Sequence, residues 1–136
     1  MVRDIIHDPI FLSQPAVPAA PEDLSVGQDL LDTLLANRER CVGMAANMIG
    51  VNKRIIVLMD GTKPMLMFNP ELIKADGCYE TEEGCLSLEG VRPTRRARSI
   101  KVRYQDASFR SHYFTCQGFT AQIIQHELDH CSGILI

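Results

Sequence analysis

Near the end of the chain, Gln125-His126-Glu127-Leu128-Asp129-His130 sets two imidazoles four positions apart with a carboxylate between them. On a helix, residues i and i+4 share a face, so His126 and His130 can both reach one metal ion. An ion held there lowers the pKa of a coordinated water towards neutrality, and Glu127 is placed to exchange its proton. The pattern proposes metal-assisted hydrolysis. The plainer alternative is a helix with a charged stripe and two ordinary histidines. Ile123, Ile124 and Leu128 argue against it, because apolar residues on several sides of a helix indicate packing. Two buried imidazoles and two carboxylates then need pairing or coordination.

A catalytic metal site usually takes three protein ligands. A third histidine downstream has no room, because only Cys131 to Ile136 remain. Cys131, one residue past His130, is turned about 100° from the ligand face and is expected to pack. Cys41, Cys78, Cys85, Cys116, His7 and His112 are the other donors, and spacing does not choose among them. Cys85 follows Glu82, Glu83 and Gly84, so acidic groups that favour a cation stand beside it.

Glu83-Gly84-Cys85-Leu86-Ser87 and Gln125-His126-Glu127-Leu128-Asp129-His130 together resemble the second and third signature motifs of the peptide deformylases, in the family's order and spacing. Asn69-Pro70-Glu71-Leu72 and Lys53-Arg54-Ile55-Ile56-Val57 resemble further segments of that family. The resemblance implies that Cys85, His126 and His130 bind one divalent metal. It points to Fe²⁺ in the cell, with Zn²⁺, Ni²⁺ or Co²⁺ able to replace it in a purified sample. It also implies that Glu127 is the general acid and base, and that the Leu86 N–H stabilises an oxyanion. The implied reaction is removal of the N-formyl group from N-formylmethionyl peptides of newly made proteins. The implied partners are formylated nascent N-termini and the ribosome. Gly43, Met44 and Ile124 are expected around a small apolar pocket for methionine, and Arg92, seven residues after Cys85, is expected to orient the peptide.

The first family signature, GxGLAAxQ, is matched less closely by Cys41-Val42-Gly43-Met44-Ala45-Ala46-Asn47-Met48. Gly43, Ala45 and Ala46 are retained. Cys41 replaces a glycine and Met48 replaces the glutamine whose amide donates to the formyl oxygen in the family. A thioether has no such donor, and losing one oxyanion donor costs on the order of 10² to 10³ in kcat. Two alternatives follow: a paralogue with weak activity or another amide substrate, and a non-enzymatic protein whose ion fastens the last helix. The second needs a fourth protein ligand, such as Cys131 or Cys116.

The elements that must position these groups follow from the pattern of apolar residues. At 136 residues, the stretch 1–136 is expected to form a single domain with one core. Pro9, Pro15, Pro18 and Pro21 predict an extended arm without regular helix. Leu24, Leu30, Leu31, Leu34 and Leu35 predict an amphipathic helix from Glu22 to about Arg40. Arg54 to Met59 reads as a buried strand ended by Asp60-Gly61, and Met65 to Phe68 as its antiparallel return. Further strands are expected at 71–75, 79–83, 99–106 and 111–116, and helix again from Phe119. Gly133 is suited to end that helix. The fold class is therefore α+β, with antiparallel sheet packed around a C-terminal metal-binding helix.

A net charge of −3 gives no general nucleic-acid surface. The basic segment Arg92, Arg95, Arg96, Arg98, Lys101 and Arg103 reads as an exposed loop leading into a strand. Within it, Arg95 or Arg96 is placed to pair with Asp129. Five irregularly spaced cysteines, with no charged and apolar leader and no run long enough to cross a bilayer, suggest reduced thiols and a cytoplasmic location away from membranes.

Overall fold

Apolar runs at 55–58 and 65–68 are joined to longer alternating segments through the middle of the chain. There the computed structural model, which describes residues 1–136, has five strands. They are β1 (Gly43–Ala45), β2 (Ile55–Asp60), β3 (Lys63–Cys85), β4 (Leu88–Gln105) and β5 (Ser111–Gln117). All pair antiparallel with their neighbours in sequence, giving one sheet in the order β1-β2-β3-β4-β5. Three helices accompany it: α1 (Pro9–Leu12), α2 (Leu24–Ala36) and α3 (Gly118–Cys131).

Alternation along β2 explains where the core sits. Ile55 and Val57 point to a cluster with Leu30 and Leu34 of α2, whereas Ile56 and Leu58 point to a cluster with Ile123 and Ile124 of α3. The sheet is thus covered by one helix on each face. Each fully buried Ile or Leu contributes about 1.5 to 3 kcal/mol of apolar transfer. Gln125 fixes α3 to β4 by a paired contact: its Nε2 donates to the Ala97 carbonyl at 2.9 Å and its Oε1 accepts from the Ala97 N–H at 2.8 Å.

Several local expectations change. The returns expected at 65–68, 71–75 and 79–83 are one continuous strand, because bulges between Phe68 and Glu71 and between Leu72 and Lys74 bend β3 without ending its pairing to β4. The basic segment is not a loop but lies inside β4, where alternation buries Arg96 and turns its neighbour Arg95 to solvent, while Arg98, on the face of Arg96 but farther along the strand, is also exposed. The arm holds one helical turn. Pro9 occupies its first turn, where the missing N–H costs nothing, and Asp8 Oδ1 accepts from the Ile10 N–H at 3.0 Å. The α2 helix proper starts at Leu24, after a 3-10 turn at Pro21–Asp23, and ends at Ala36 rather than near Arg40.

Candidate active site

The β3–β4 hairpin turns at Leu86 and Ser87, so Cys85 is the last residue of β3 and faces α3. Helical spacing then brings His126 and His130 to it. The Cys85 Sγ lies 3.3 Å from His130 Nε2, and the two histidine Nε2 atoms are 3.2 Å apart. The three donor atoms all lie within 4.8 Å of one another. Around a tetrahedral ion, donor separations of roughly 3.3 Å between two nitrogens and roughly 3.6 Å between sulfur and nitrogen follow from the bond lengths. The group therefore fits a divalent metal. Backbone holds the sulfur as well, since the Ser87 N–H donates to Sγ at 3.4 Å.

Charge around the donors is set by a buried network. Glu83 Oε1 accepts from His126 Nδ1 at 2.7 Å, which turns Nε2 towards Cys85 and His130 and makes it the donor atom once the ring is neutral. Arg96 grips Glu83 with two nitrogens, Nε at 2.9 Å and Nη2 at 2.6 Å, and reaches Asp129 with Nη1 at 2.7 Å. Of the two arginines expected near Asp129, Arg96 is the one that pairs. Burial opposes charge on His126, but hydrogen bonds to Cys85 and Glu83 outweigh it and push the ring up to about 10. Burial, reinforced by the positive His126, Arg92 and Arg96, pushes His130 down to about 3. Without a metal, the imidazolium form is thus favoured at His126 and the neutral ring at His130. Metal binding needs both rings neutral, so a cation would displace the extra proton of His126.

Glu127 is buried, 4% exposed, and its Oε1 has no hydrogen-bond partner. Burial pushes its carboxyl up to about 7, in the range where a carboxylate both takes and returns protons. It borders a cavity of about 530 Å³ that also reaches Cys85, Leu86, Gly43, Met48 and His126.

The expected pocket residues divide. Gly43 lines the cavity, whereas Met44, its neighbour on β1, points the other way and is fully buried with Leu30 and Leu34. Ile124 is likewise fully buried against the sheet, and Ile123, one position round α3, forms the wall instead. Met48 borders the cavity while packing in the α2-side cluster. Arg92 stands opposite Glu83 on β4 and donates from Nη1 to the Glu89 carbonyl at 3.0 Å, while its buried Nε and Nη2 have no partner.

Sequence reasoning did not single out the contact of Glu83 with His126, nor Cys41, Phe119 and Gln122 in the cavity wall. Gln122, four residues before His126 on the same helix face, was open to discovery by spacing. Cys41 donates its S–H to the Gly43 carbonyl at 2.8 Å, and burial followed by the nearby Glu127 charge pushes it up to about 12, so it stays a thiol. Cys131, as expected, packs in the α3-side core.

Residues 5–136 match the sequence profile of the family described as Polypeptide deformylase. The chain is similar to the peptide deformylase of Clostridium beijerinckii, with 51% identity over 136 residues covering 100% of both chains. Its fold is similar to the crystal structure of the peptide deformylase from Thermotoga maritima, with a TM-score of 0.89, 30% identity, and 99% of this chain and 95% of that chain covered. It is equally similar to the Met-Ala-Ser-bound class I type b peptide deformylase from Acinetobacter baumannii, with a TM-score of 0.89, 28% identity, and coverage of 99% and 97%. With likeness of sequence and of fold both running end to end, the chain belongs to the peptide deformylase family, and its reaction is hydrolytic removal of an N-formyl group.

Proposed function

We propose that the chain, working as one domain over residues 1–136, deformylates N-formylmethionyl peptides of newly made proteins, with Cys85, His126 and His130 holding the metal. The observation that carries this reading is the position of Glu127: a buried carboxylate, pushed up to about 7, at a cavity shared with Cys85 and His126. A bound ion supplies Lewis acidity and activates water. Glu127 Oε1 takes the proton of the attacking water as the new C–O bond forms. It then returns that proton to the amine nitrogen as the C–N bond breaks, releasing formate and a free N-terminus. The Leu86 N–H donates to the developing oxyanion.

Substrate placement follows from the same cavity. β1 is an edge strand with Gly43 at the cavity wall, so an extended peptide can lie along it by strand addition. Val42, Phe119 and Ile123 provide apolar surface for a methionine side chain, whereas Arg92 lies outside the cavity lining with its unpartnered nitrogens buried. The Met-Ala-Ser ligand of the Acinetobacter relative has the form of such a product. The cavity opens onto Cys85 and His126, which favours a catalytic site over a closed structural one with four protein ligands.

One thiolate and two imidazoles accept Fe²⁺, Zn²⁺, Ni²⁺ or Co²⁺; the family resemblance points to Fe²⁺ in the cell. The five free cysteines favour a reducing compartment, the cytoplasm, where emerging chains at the ribosome would be met. No helix is long and apolar enough to cross a membrane. Anaerobic assay of the Fe²⁺ form with a formyl-methionyl peptide tests the assignment. Glu127→Ala should retain the metal and lose about 10² to 10⁴ in kcat. Equal turnover by parent and variant would remove Glu127 from the mechanism.

A further inference from the structure

Gln122 sits one turn before His126 on α3 and borders the cavity, yet both ends of its amide are engaged by protein groups. Its Nε2 donates to Glu83 Oε2 at 3.0 Å, and its Oε1 accepts from the Tyr79 hydroxyl at 3.2 Å. The amide has only one consistent orientation. Glu83, as an anion, can only accept, so the NH₂ must face it, and the carbonyl oxygen is left for the tyrosine O–H. Tyr79 is itself held, because the Arg98 guanidinium lies 5.1 Å from the centre of its ring.

Counting donors on Glu83 shows what this arrangement does. Oε1 accepts from Arg96 Nη2 and His126 Nδ1, and Oε2 accepts from Arg96 Nε and Gln122 Nε2. Both acceptor sites on each oxygen are filled. The Arg96 fork sets the carboxylate plane, and Gln122 opposes His126 across it, so the carboxylate cannot swing away from the ring.

We infer that Gln122, with its amide oriented by Tyr79, is a positioning residue that acts through Glu83 to fix the ring of His126 towards the metal. This rests on the proposed reading of Cys85, His126 and His130 as metal donors. The chain of contacts runs from an exposed face of the β3–β4 hairpin to the metal centre: Arg98, Tyr79, Gln122, Glu83, His126.

The full chain loaded with Co²⁺ provides the test, because cobalt reports both affinity and ligand geometry in its visible spectrum. Cys85→Ser is the control for the donor set. Loss of Co²⁺ binding in that variant, against tight binding by the parent, upholds the donor reading independently of Gln122; equal binding by both overturns the donor reading and this inference with it. Given intact donors, Gln122→Leu should weaken Co²⁺ binding about tenfold or more in chelator competition and shift the visible bands. Tyr79→Phe, a milder change on the hairpin face, should shift both in the same direction by less. The double variant should be no weaker than Gln122→Leu alone. Affinity within twofold of the parent and an unchanged spectrum would overturn the inference, even if KM for the peptide rises, since that leaves Gln122 as a cavity wall only. If Gln122→Leu fails to fold, Tyr79→Phe decides by the same two readouts.

Discussion

Gly43 and Glu127 stand so close that a single carbon between them would collide: a Cβ at position 43 would lie 2.9 Å from Glu127 Oε2 and 2.7 Å from Ile123 Cγ2. The backbone of Gly43 is extended within β1, so glycine is needed here for space and not for conformation. The first segment and the metal helix are fitted around that gap. Gly43→Ala should displace the Glu127 carboxylate while leaving Cys85, His126 and His130 in place. A displacement near 1 Å at a reacting group costs on the order of 10² in rate. Steady-state kinetics with metal analysis of the same sample checks this, and a kcat within threefold of the parent at full metal content would contradict it.

Met48, which by the family resemblance replaces a glutamine donor, borders the cavity from within an apolar cluster. Met48→Gln should raise kcat for a formyl-methionyl peptide by about tenfold, part of the 10² to 10³ that one oxyanion donor is worth elsewhere. The same change sets an amide among Leu30, Leu34 and Phe68, so stability should fall by about 1 to 3 kcal/mol. Parallel rate and urea-unfolding measurements separate the two effects. An unchanged rate would mean that oxyanion stabilisation in this chain does not wait on a side chain at position 48.

The parts of the site that were legible in sequence are those fixed by local periodicity. His126 and His130 share a face because any helix puts residues four apart together, and Gly133 ends that helix with a φ of 75°. Cys85 was reached through paired motifs, since no spacing rule joins a hairpin turn to a helix forty residues later. The pairing of Arg96 with Asp129 was legible only to within one residue, because it depends on which face of β4 is turned inward. Met44 and Ile124 show the same difficulty: each is adjacent to a true cavity residue, Gly43 or Ile123, and a phase difference of one position exchanges wall for core. The grip of Glu83 on His126 depended on the long β3–β4 register, whose bulges leave no sharp mark in the sequence.

Glu83 should also leave a mark on acid stability. Burial alone would raise its carboxyl, but hydrogen bonds from His126, Arg96 and Gln122 overcome burial and hold it down to about 2, against 4.5 for the free group. A carboxyl whose folded pKa is depressed contributes fully above its unfolded value, and that contribution is lost as pH falls from 4.5 through about 2. In the metal-free protein, stability should therefore fall over this window. Glu83→Gln should be less stable near pH 6, where Arg96 loses its buried anion, but should show a flatter dependence below 4.5. Urea midpoints across the window decide it, and equal slopes for parent and variant would show that Glu83 titrates normally.

Gly133 joins the end of the metal helix to the N-terminal arm. Its φ of 75° lies in the left-handed region, and a Cβ there would meet the Ser13 carbonyl oxygen at 2.4 Å and the Gln14 carbonyl carbon at 3.0 Å. All of these neighbours are backbone atoms of one segment, so no side chain can swing aside to relieve the contact. The turn closes α3 through the Gly133 N–H on the His130 carbonyl at 3.0 Å and the Ile134 N–H on the Asp129 carbonyl at 2.9 Å, and the arm is tied alongside by the Ala16 N–H on the Cys131 carbonyl at 2.8 Å. Gly133→Ala combines left-handed strain of about 1 to 2 kcal/mol with that clash. The loss in unfolding free energy should be about 2 kcal/mol or more. Because His130 lies three residues upstream, the same shift should weaken metal binding, whereas a mutation that merely loosened the arm would leave it intact. Urea unfolding and chelator competition on one preparation test both parts, and a parent-like midpoint would show that the arm yields to the added carbon without disturbing the helix end.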